Sequence, residues 1–338
     1  MALLLIEGFE GLTDVSDVHN DQNTGGVAIE TSDQRTGQGC LKIDSTAEKF
    51  RLHWGGTSNE IYICYAFNTS TFGARLLWTS GYITLTMTAL GELVLKQLGT
   101  VLGTTDPDII TINTWHYIEV CIVKKNSLIE GDMSLRIDGV EVIAVAAGLD
   151  SLSSLDTPWT PGMTFEGRTG YIWMYDDMYV CDETGSICNT FLGDVKVAAI
   201  FPDGNGNQSD FVGSDADSTD NYLHVDENPD MDDDTSYVES DTAGDIDLYT
   251  FDDLPAEVGI VHGLQIRSMC SKDVPGHEKV VRSVCRSGGT NYTGDDRGAP
   301  LGYAPMEQLL EEDPDTSARW LKAGIDSAEF GIKLQSSK

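Results

Sequence analysis

Fifty-five Asp and Glu residues stand against 21 Lys and Arg in this chain of 338 residues, so the first chemistry to test is that of paired carboxylates. A retaining glycosidase holds two carboxyl groups about 5 Å apart, which a Glu-x-Asp-x-x-Glu run on alternate strand positions provides. The sequence contains no such run. Glu130-Gly131-Asp132 and Asp176-Asp177 come nearest, but the first reads as a turn and the second puts its carboxylates on opposite faces of a strand. Nucleophilic catalysis fares no better, with six His at 19, 53, 116, 224, 262 and 277 and no Gly-x-Ser-x-Gly elbow. His116 reads as a packed or interface side chain on a strand, and His224 as a solvated salt link with a raised pKa among acidic neighbours. Gly204-x-Gly206 and Gly288-Gly289 are turn material rather than a phosphate loop. These residues lead to the expectation that the chain is not an enzyme and has no catalytic site.

Hard cations are the next possibility. Asp203-Gly204-Asn205-Gly206-Asn207-Gln208-Ser209 places oxygen ligands at alternate positions, as a calcium loop does, but Gln208 stands where that loop needs Gly and Ser214 where it needs a bidentate Glu. Asp215-x-Asp217 and Asp232-Asp233-Asp234 have the right oxygens in extended loops, against the simpler reading of solvated acidic turns. No cofactor and no metal ligand set is expected, with a structural Ca²⁺ left open.

Seven cysteines, Cys40, Cys64, Cys121, Cys181, Cys188, Cys270 and Cys285, include no Cys-x-x-Cys pair, which argues against zinc and thioredoxin-type chemistry. Cys181 and Cys188 flank a short turn that brings them towards bridging range, and Cys270 and Cys285 fall on two strands expected to form one hairpin. Cys121 shares a strand face with Glu119, which suggests exposure. The odd number leaves at least one cysteine without an intramolecular partner. Sugar recognition would need exposed aromatic rings, for which Trp54, Trp78 and Trp159 are available in Gly-, Thr- and Pro-rich surroundings, while Trp115 and Trp173 read as core.

The elements that must position these groups are strands. With 35 Gly and 10 Pro, punctuation is frequent. Leu3 to Phe9, Gly39 to Ile43, Glu60 to Phe67, Tyr82 to Met87, Glu92 to Leu95, Trp115 to Val123, Met133 to Ile137, Val140 to Val145 and Gly170 to Val180 are β-prone runs bounded by turn residues. Asp138-Gly139 between two apolar runs is a hairpin signal. Ile61, Ile63, Tyr65 and Phe67 fall on one face of a sandwich strand. The apolar opening, Met1 to Ile6, is too short for a signal-peptide core or a bilayer span, and the net charge of −34 opposes binding to nucleic acid. No membrane partner is expected.

Between Lys196 and Arg267 there is no Lys or Arg, and Asp203 to Asp253 holds 17 acidic residues. Interleaved Phe201, Phe211, Tyr222, Leu223, Tyr237, Leu248 and Phe251 favour ordered loops and short strands over a disordered tail. Val258 to Ser271, Lys279 to Arg286 and Ala328 to Leu334 read as further strands. Pro305 to Glu312 and Thr316 to Ile325 allow helical periodicity, with Leu309, Leu310, Trp320 and Leu321 as the apolar face and Pro314 between them.

Several of these segments carry a resemblance. Leu3 to Glu10, Ile112 to Glu119, Leu135 to Gly139 and Tyr175 to Val180 resemble the concanavalin A-like (laminin G-like) jelly roll as found in tailed-bacteriophage virion proteins. Asp220 to Glu227, Thr235 to Val238 and Trp320 to Gly331 are similar to sequences that follow that jelly roll. The resemblance implies an all-β fold, with a jelly-roll sandwich over residues 1–196 whose first strand pairs near its last. An acidic β-rich assembly domain with short C-terminal helices follows over 197–338. It also implies a structural role in the virion, at collar, tail or capsid surface, with the chain itself and other virion proteins as partners. In that setting cysteines made reduced in the host cytoplasm are open to oxidation after lysis, with Cys40, Cys64 and Cys121 as candidates for intersubunit links, against the alternative of seven reduced thiols. The competing function is a lectin-like module that binds surface glycans through the rim loops of the first domain.

Overall fold

The computed structural model describes residues 2–15, 18, 20–24, 26–46, 48–55, 58–79, 83–97, 99–123, 131–149, 162–229 and 234–337. Nearly all of the regular structure is β, in two compact units, Met1–Ala198 and Ala199–Lys338.

The first unit contains two sheets. One runs in the order β13 (Val140–Leu149), β12 (Gly131–Ile137), β11 (His116–Val123), β6 (Glu60–Thr69), β15 (Trp173–Asp182), β4 (Cys40–Ile43) and β3 (Ala28–Glu30), with β1 (Leu3–Glu7) also paired to β15. The other runs β10 (Thr100–Thr104), β9 (Leu93–Gln97), β8 (Ile83–Met87), β7 (Ala74–Thr79), β14 (Gly162–Glu166), β5 (Lys49–His53) and β2 (Asn20–Thr24). All pairings are antiparallel. Their facing sides supply one core, in which Ile61, Ile63, Tyr65 and Phe67 of β6 meet Phe50, Leu85, Leu95, Met163 and Phe165. Between β12 and β13 the chain reverses at Asp138-Gly139, both with positive φ (51° and 78°), as the right-handed twist of a two-residue hairpin requires.

The strands read from alternation are all present, with ends displaced by a few residues; Tyr82 and the turn residue Glu130 lie outside the described residues. The burial of the outer face of β6 and β15 differs from expectation. Period-two alternation assigns Tyr62, Cys64 and Ala66 to solvent, yet every residue from Ile61 to Thr69 and from Trp173 to Asp182 is buried. The segment 183–198 lies across that face as a strap. Phe191 packs edge-on to Tyr62 with ring centroids 4.9 Å apart and lies beneath the Arg136 guanidinium at 4.2 Å. The Leu192 amide donates to the Tyr179 hydroxyl at 2.8 Å.

The second unit is built on a sheet ordered β16 (Pro202–Ser209), β19 (Ile246–Phe251), β27 (Glu329–Ser337), β21 (Lys279–Ser287) and β22 (Thr290–Thr293), with β23 (Arg297–Gly298) also on β21. Three two-stranded pairs accompany it: β17 (Val212–Gly213) with β18 (Val238–Glu239), β20 (Leu264–Cys270) with β24 (Ala304–Leu310), and β25 (Glu312–Asp313) with β26 (Ala318–Arg319). The expected pair of C-terminal helices is corrected here. Pro305 to Leu310 lies in β24, and among the described residues α-helix is confined to α1 (Lys322–Asp326). Met, Glu, Gln and Leu are good helix formers, but pairing with β20 and the Arg267–Glu307 ion pair (2.8 Å) decide the conformation. Trp320 is buried as expected and donates its indole N–H to the Leu310 carbonyl at 3.2 Å, whereas Leu321 is exposed.

Phe165 is a central residue of the first core, its ring 5.4 Å from that of Tyr65 and 4.2 Å from that of Tyr175. Phe165→Ala should lower the unfolding free energy by about 3–5 kcal/mol in a denaturant titration, the usual cost of emptying a buried phenylalanine site.

Candidate functional site

The most concentrated set of charged and polar groups in the first unit lies beneath the strap, at a fault in the sheet. β15 pairs with β4 over Trp173 to Tyr175 and with β1 from Met178 to Cys181, and Asp176 and Asp177 fall between these two partners. The register with β6 also shifts there, between Asp176 and Tyr179, and Asp177 adopts φ 49°. This is a β-bulge, which re-aims side chains that regular pleating would send to opposite faces.

Both carboxylates are fully buried and richly hydrogen-bonded. Asp176 accepts from the backbone amides of Arg35 (2.9 Å), Thr36 (3.3 Å) and Asp177 (2.7 Å). Asp177 accepts from the Thr36 hydroxyl, the Arg35 guanidinium and the Val197 amide, each at 2.7 Å. Arg35 also donates to the Val195 carbonyl at 3.0 Å, pairs with Asp194, and lies 5.2 Å from the Tyr117 ring centroid. A single arginine therefore ties the 31–38 loop, the bulge and the strap together. Glu10 lies at the edge of the group, accepting from the Gln38 amide and so close to Gly37 (φ 60°) that no Cβ fits there.

Acids outnumber cations in this cluster, and the imbalance shows in their titration. Burial, with Asp176, Asp177 and Glu7 nearby, pushes the Glu10 carboxyl up to about 8 against its hydrogen bond from Gln38. Burial and the neighbouring Asp177 push Asp176 up to about 7, although three backbone amides favour its charged form. Glu119, on the same outer face, is raised for the same primary reason, against the field of Arg136. Arg35, Thr36 and Glu10 are not legible as a site from the sequence; the only signal is an acidic pair inside an otherwise apolar strand.

In the second unit the structure brings together Ser214, Asp215, His224 and Ser236. The Ser214 and Ser236 hydroxyls lie 3.3 and 3.2 Å from His224 Nδ1, and Asp215 Oδ1 lies 3.4 Å from Nε2. The ring lies so close over Gly213 that a Cβ there would come within 2.5 Å of it. The residue types are those of a hydroxyl nucleophile with its base, but two hydroxyls share one acceptor nitrogen and the carboxylate is beyond a short hydrogen bond. The ring braces three loop segments and keeps the link to an acidic neighbour expected from sequence, through Asp215.

Other predicted sites disperse. His116 accepts from the Thr111 amide (2.9 Å) at Nε2 and donates from Nδ1 to Asp138 (2.7 Å), which fixes the hairpin to β11. His19 lies outside the described residues. The calcium-like run 203–209 is strand β16, where Asp203 binds the Thr250 hydroxyl, Asn205 the Tyr222 amide and Gln208 the Asn291 amide. Asp215 and Asp217 accept from the backbone two residues on, and Asp232 and Asp233 lie outside the described residues. Trp54 and Trp173 are buried and Trp115 is half-buried; Trp159 and the Trp78 side chain are not among the described groups.

No disulfide joins the seven cysteines, and six of them are buried, with Cys270 half-buried. The expected exposure of Cys121 is corrected by the strap, which covers its face of the sheet together with Glu119. Cys270 and Cys285 do not share a hairpin, since β20 pairs with β24 while β21 pairs with β27, β22 and β23. Cys181 donates to the Thr190 carbonyl at 3.4 Å rather than bridging to Cys188. Burial pushes the thiols of Cys121, Cys270 and Cys285 up to about 12.

No family model matches this chain, and no curated protein matches it. Among solved structures it is similar to the binding domain of Paraclostridial Mosquitocidal Protein 1 (14% identity, TM-score 0.41), over 55% of this chain and 50% of that one, so the match spans half the length of the toxin domain. It is also similar to the carbohydrate esterase vb_24B_21 of the Shiga toxin-encoding bacteriophage phi24B (14% identity, TM-score 0.35, 52% of this chain and 99% of that one). A third is the catalytic domain of a glycoside hydrolase family 131 protein from Coprinopsis cinerea (14% identity, TM-score 0.33, 51% and 84%). Binding domains and enzymes both occur among these neighbours. The presence of an esterase and a glycoside hydrolase corrects the expectation of a chain without enzymatic activity, and that exclusion is withdrawn.

The raised carboxyls fix a pH dependence. A carboxyl whose pKa is higher folded than unfolded makes the folded state bind more protons, so its contribution is fully present below the unfolded value near 4 and is lost as pH rises through the folded value. For Glu10 and Asp176 that window runs from about 4 to about 8. Thermal unfolding followed from about pH 5 to about pH 9 should show a falling midpoint for the first unit, and Glu10→Gln should flatten part of that fall.

Proposed function

We propose that this chain is a structural component of a tailed-phage particle and that it assembles with further copies of itself through the margin of the first unit formed by β10 and β13. The phage-type resemblance of Leu3 to Glu10, Ile112 to Glu119 and Tyr175 to Val180 supports the particle. The observation that carries the contact is the set of exposed apolar side chains on or beside two edge strands, Leu90 and Ile172 being exposed elsewhere on the unit. Val101 on β10 is 55% exposed, Val140 at the start of β13 is 64% exposed, and Ile112, in the turn before β11, is 42% exposed. β10 and β13 each end a sheet, and Gly103 approaches Ile143 so closely that a Cβ there would lie 2.6 Å from it. Edge strands present unpaired amides and carbonyls to which another chain can add. Of the tryptophans named for sugar stacking, Trp54 is turned into the core, which supports this reading over a glycan site.

The large negative charge fits the same reading, since like-charged surfaces suppress indiscriminate association and leave it to apolar, matched patches. The contacts of this proposal are non-covalent, as buried thiols with raised pKa values are poor partners for disulfide exchange.

Light scattering across a range of concentrations should give a defined oligomer, and Val101→Asp combined with Val140→Asp should reduce its mass towards one chain without lowering the unfolding midpoint. A wild-type protein that is a monomer throughout would overturn the assembly reading and favour a free-standing binding module, to be screened against glycans. Denaturing gels with and without reductant should show one identical band, and a thiol reagent should modify the native protein slowly, at Cys270 before any other cysteine.

A further inference from the structure

Asp247 is fully buried in β19, and no Lys or Arg is hydrogen-bonded to it among the described residues. Its Oδ2 accepts from Asn221 Nδ2 at 2.8 Å and from the Tyr249 hydroxyl at 2.7 Å. The same Asn221 nitrogen donates to the Phe211 carbonyl at 3.0 Å, so both of its partners are acceptors and the amide cannot be flipped. Two oxygens are then left without a donor, Asp247 Oδ1 and Asn221 Oδ1, and both are buried. Each is a buried acceptor on one of two directly bonded side chains, and leaving either unsatisfied is costly.

We propose that Asp247 is a protonated carboxylic acid in the folded protein, donating from Oδ1 to Asn221 Oδ1, and that this doubly bonded acid–amide pair is a pH-sensitive latch holding the acidic 205–226 segment on the sheet. The groups around it agree. On its own strand the neighbour is the Tyr249 hydroxyl, with the Cys270 thiol beside that tyrosine; from β16 comes the Ser209 hydroxyl; and the charge that acts on it is Asp210, a second carboxylate, while Lys333 on β27 pairs in register with the adjacent Ile246. Across the sheet its register partner on β27 is Ile332. Burial is the main force that raises the Asp247 carboxyl, with Asp210 adding to it; the hydrogen bonds from Tyr249 and Asn221 oppose, as does the nearby Ser209 hydroxyl, whose own proton goes to the Ser218 carbonyl at 3.2 Å. Asn221 opens the 3-10 turn Asn221–His224, whose Tyr222 amide binds Asn205 and whose His224 braces Ser214 and Ser236. Losing the proton places a second unpaired charge beside Asp210 and frees the turn with its attached loops.

Asp247→Asn in the full chain is the test, because an asparagine there presents an N–H to Asn221 and an oxygen to Tyr249, as the protonated acid does. Hydrogen exchange of the peptide covering residues 221–225, corrected for intrinsic rates, should accelerate at least about tenfold in wild type between about pH 5.5 and pH 8.5, and stay slow in D247N at both. The proposal is overturned if D247N exchanges faster than wild type at the lower pH or fails to fold, since a neutral isostere would then be unable to replace the group. It is equally overturned if wild-type protection is independent of pH, which would leave a charged carboxylate satisfied by water. A change in wild-type protection on adding calcium or EDTA would overturn it in favour of a bound cation.

Discussion

A ten-residue strand buried along its whole length has no natural place for a charge, yet β15 carries Asp176, Asp177 and Asp182. Isolated ionised carboxylates inside a protein cost far more than a typical domain's stability margin, so each must be protonated, paired or surrounded by donors. The first unit uses all three means. Asp182 accepts from the Thr184 amide and hydroxyl, Asp177 meets Arg35 and Thr36, and Asp176 is lined by three backbone amides while its proton affinity rises. The 31–38 loop and the strap take their positions from this requirement. Without Arg35 and the amides of residues 35, 36 and 197 the bulge would hold uncompensated charge, and without the bulge β4 and β1 could not share one side of β15.

The sandwich itself was legible because its signals are local. Alternation in Ile61 to Phe67 and the Asp138-Gly139 turn fix face and reversal within a few residues, and both are present as read. The second layer on the outer face was not legible, because nothing in Tyr62-Ile63-Cys64-Tyr65-Ala66 distinguishes a side chain facing water from one facing a strap more than a hundred residues later. The composition held a hint: an outward face bearing Tyr, Cys and Ala is poor in charge. The same gap explains why Cys121 was assigned to the surface, where its neighbour Glu119 would ordinarily put it.

In the second unit the described residues of the acidic segment form short strands and turns, as its interleaved aromatic residues imply, and the departure lies elsewhere. Pro305 to Leu310 has helical composition but strand conformation, since its long-range partner in β20 is invisible to any local count. The polar constellations share this property. Ser214 with Ser236, Asp247 with Asn221, and Arg35 with Asp177 are separated by 22, 26 and 142 residues. Such groups are distributed along the chain as ordinary surface residues and become sites only when the topology closes.

Two solutions to one problem therefore stand in the two units. At Asp177 the buried charge is kept and a guanidinium is brought to it, which fixes geometry strongly because Arg35 reaches the bulge and the strap at once. At Asp247 there is no cation within hydrogen-bonding reach among the described residues, and the neighbours are amide, hydroxyl and a second carboxylate. A chain with 55 acids and 21 Lys and Arg leaves most of its carboxyls without a cation of their own. Where arginine is spent, the contact holds at any pH at which the carboxylate is ionised; where a proton serves instead, the contact is conditional on pH. The excess of acid thus leaves the interior with proton-dependent contacts, and these fall at Glu10, Asp176 and Asp247, next to the loops that pack over the sheets.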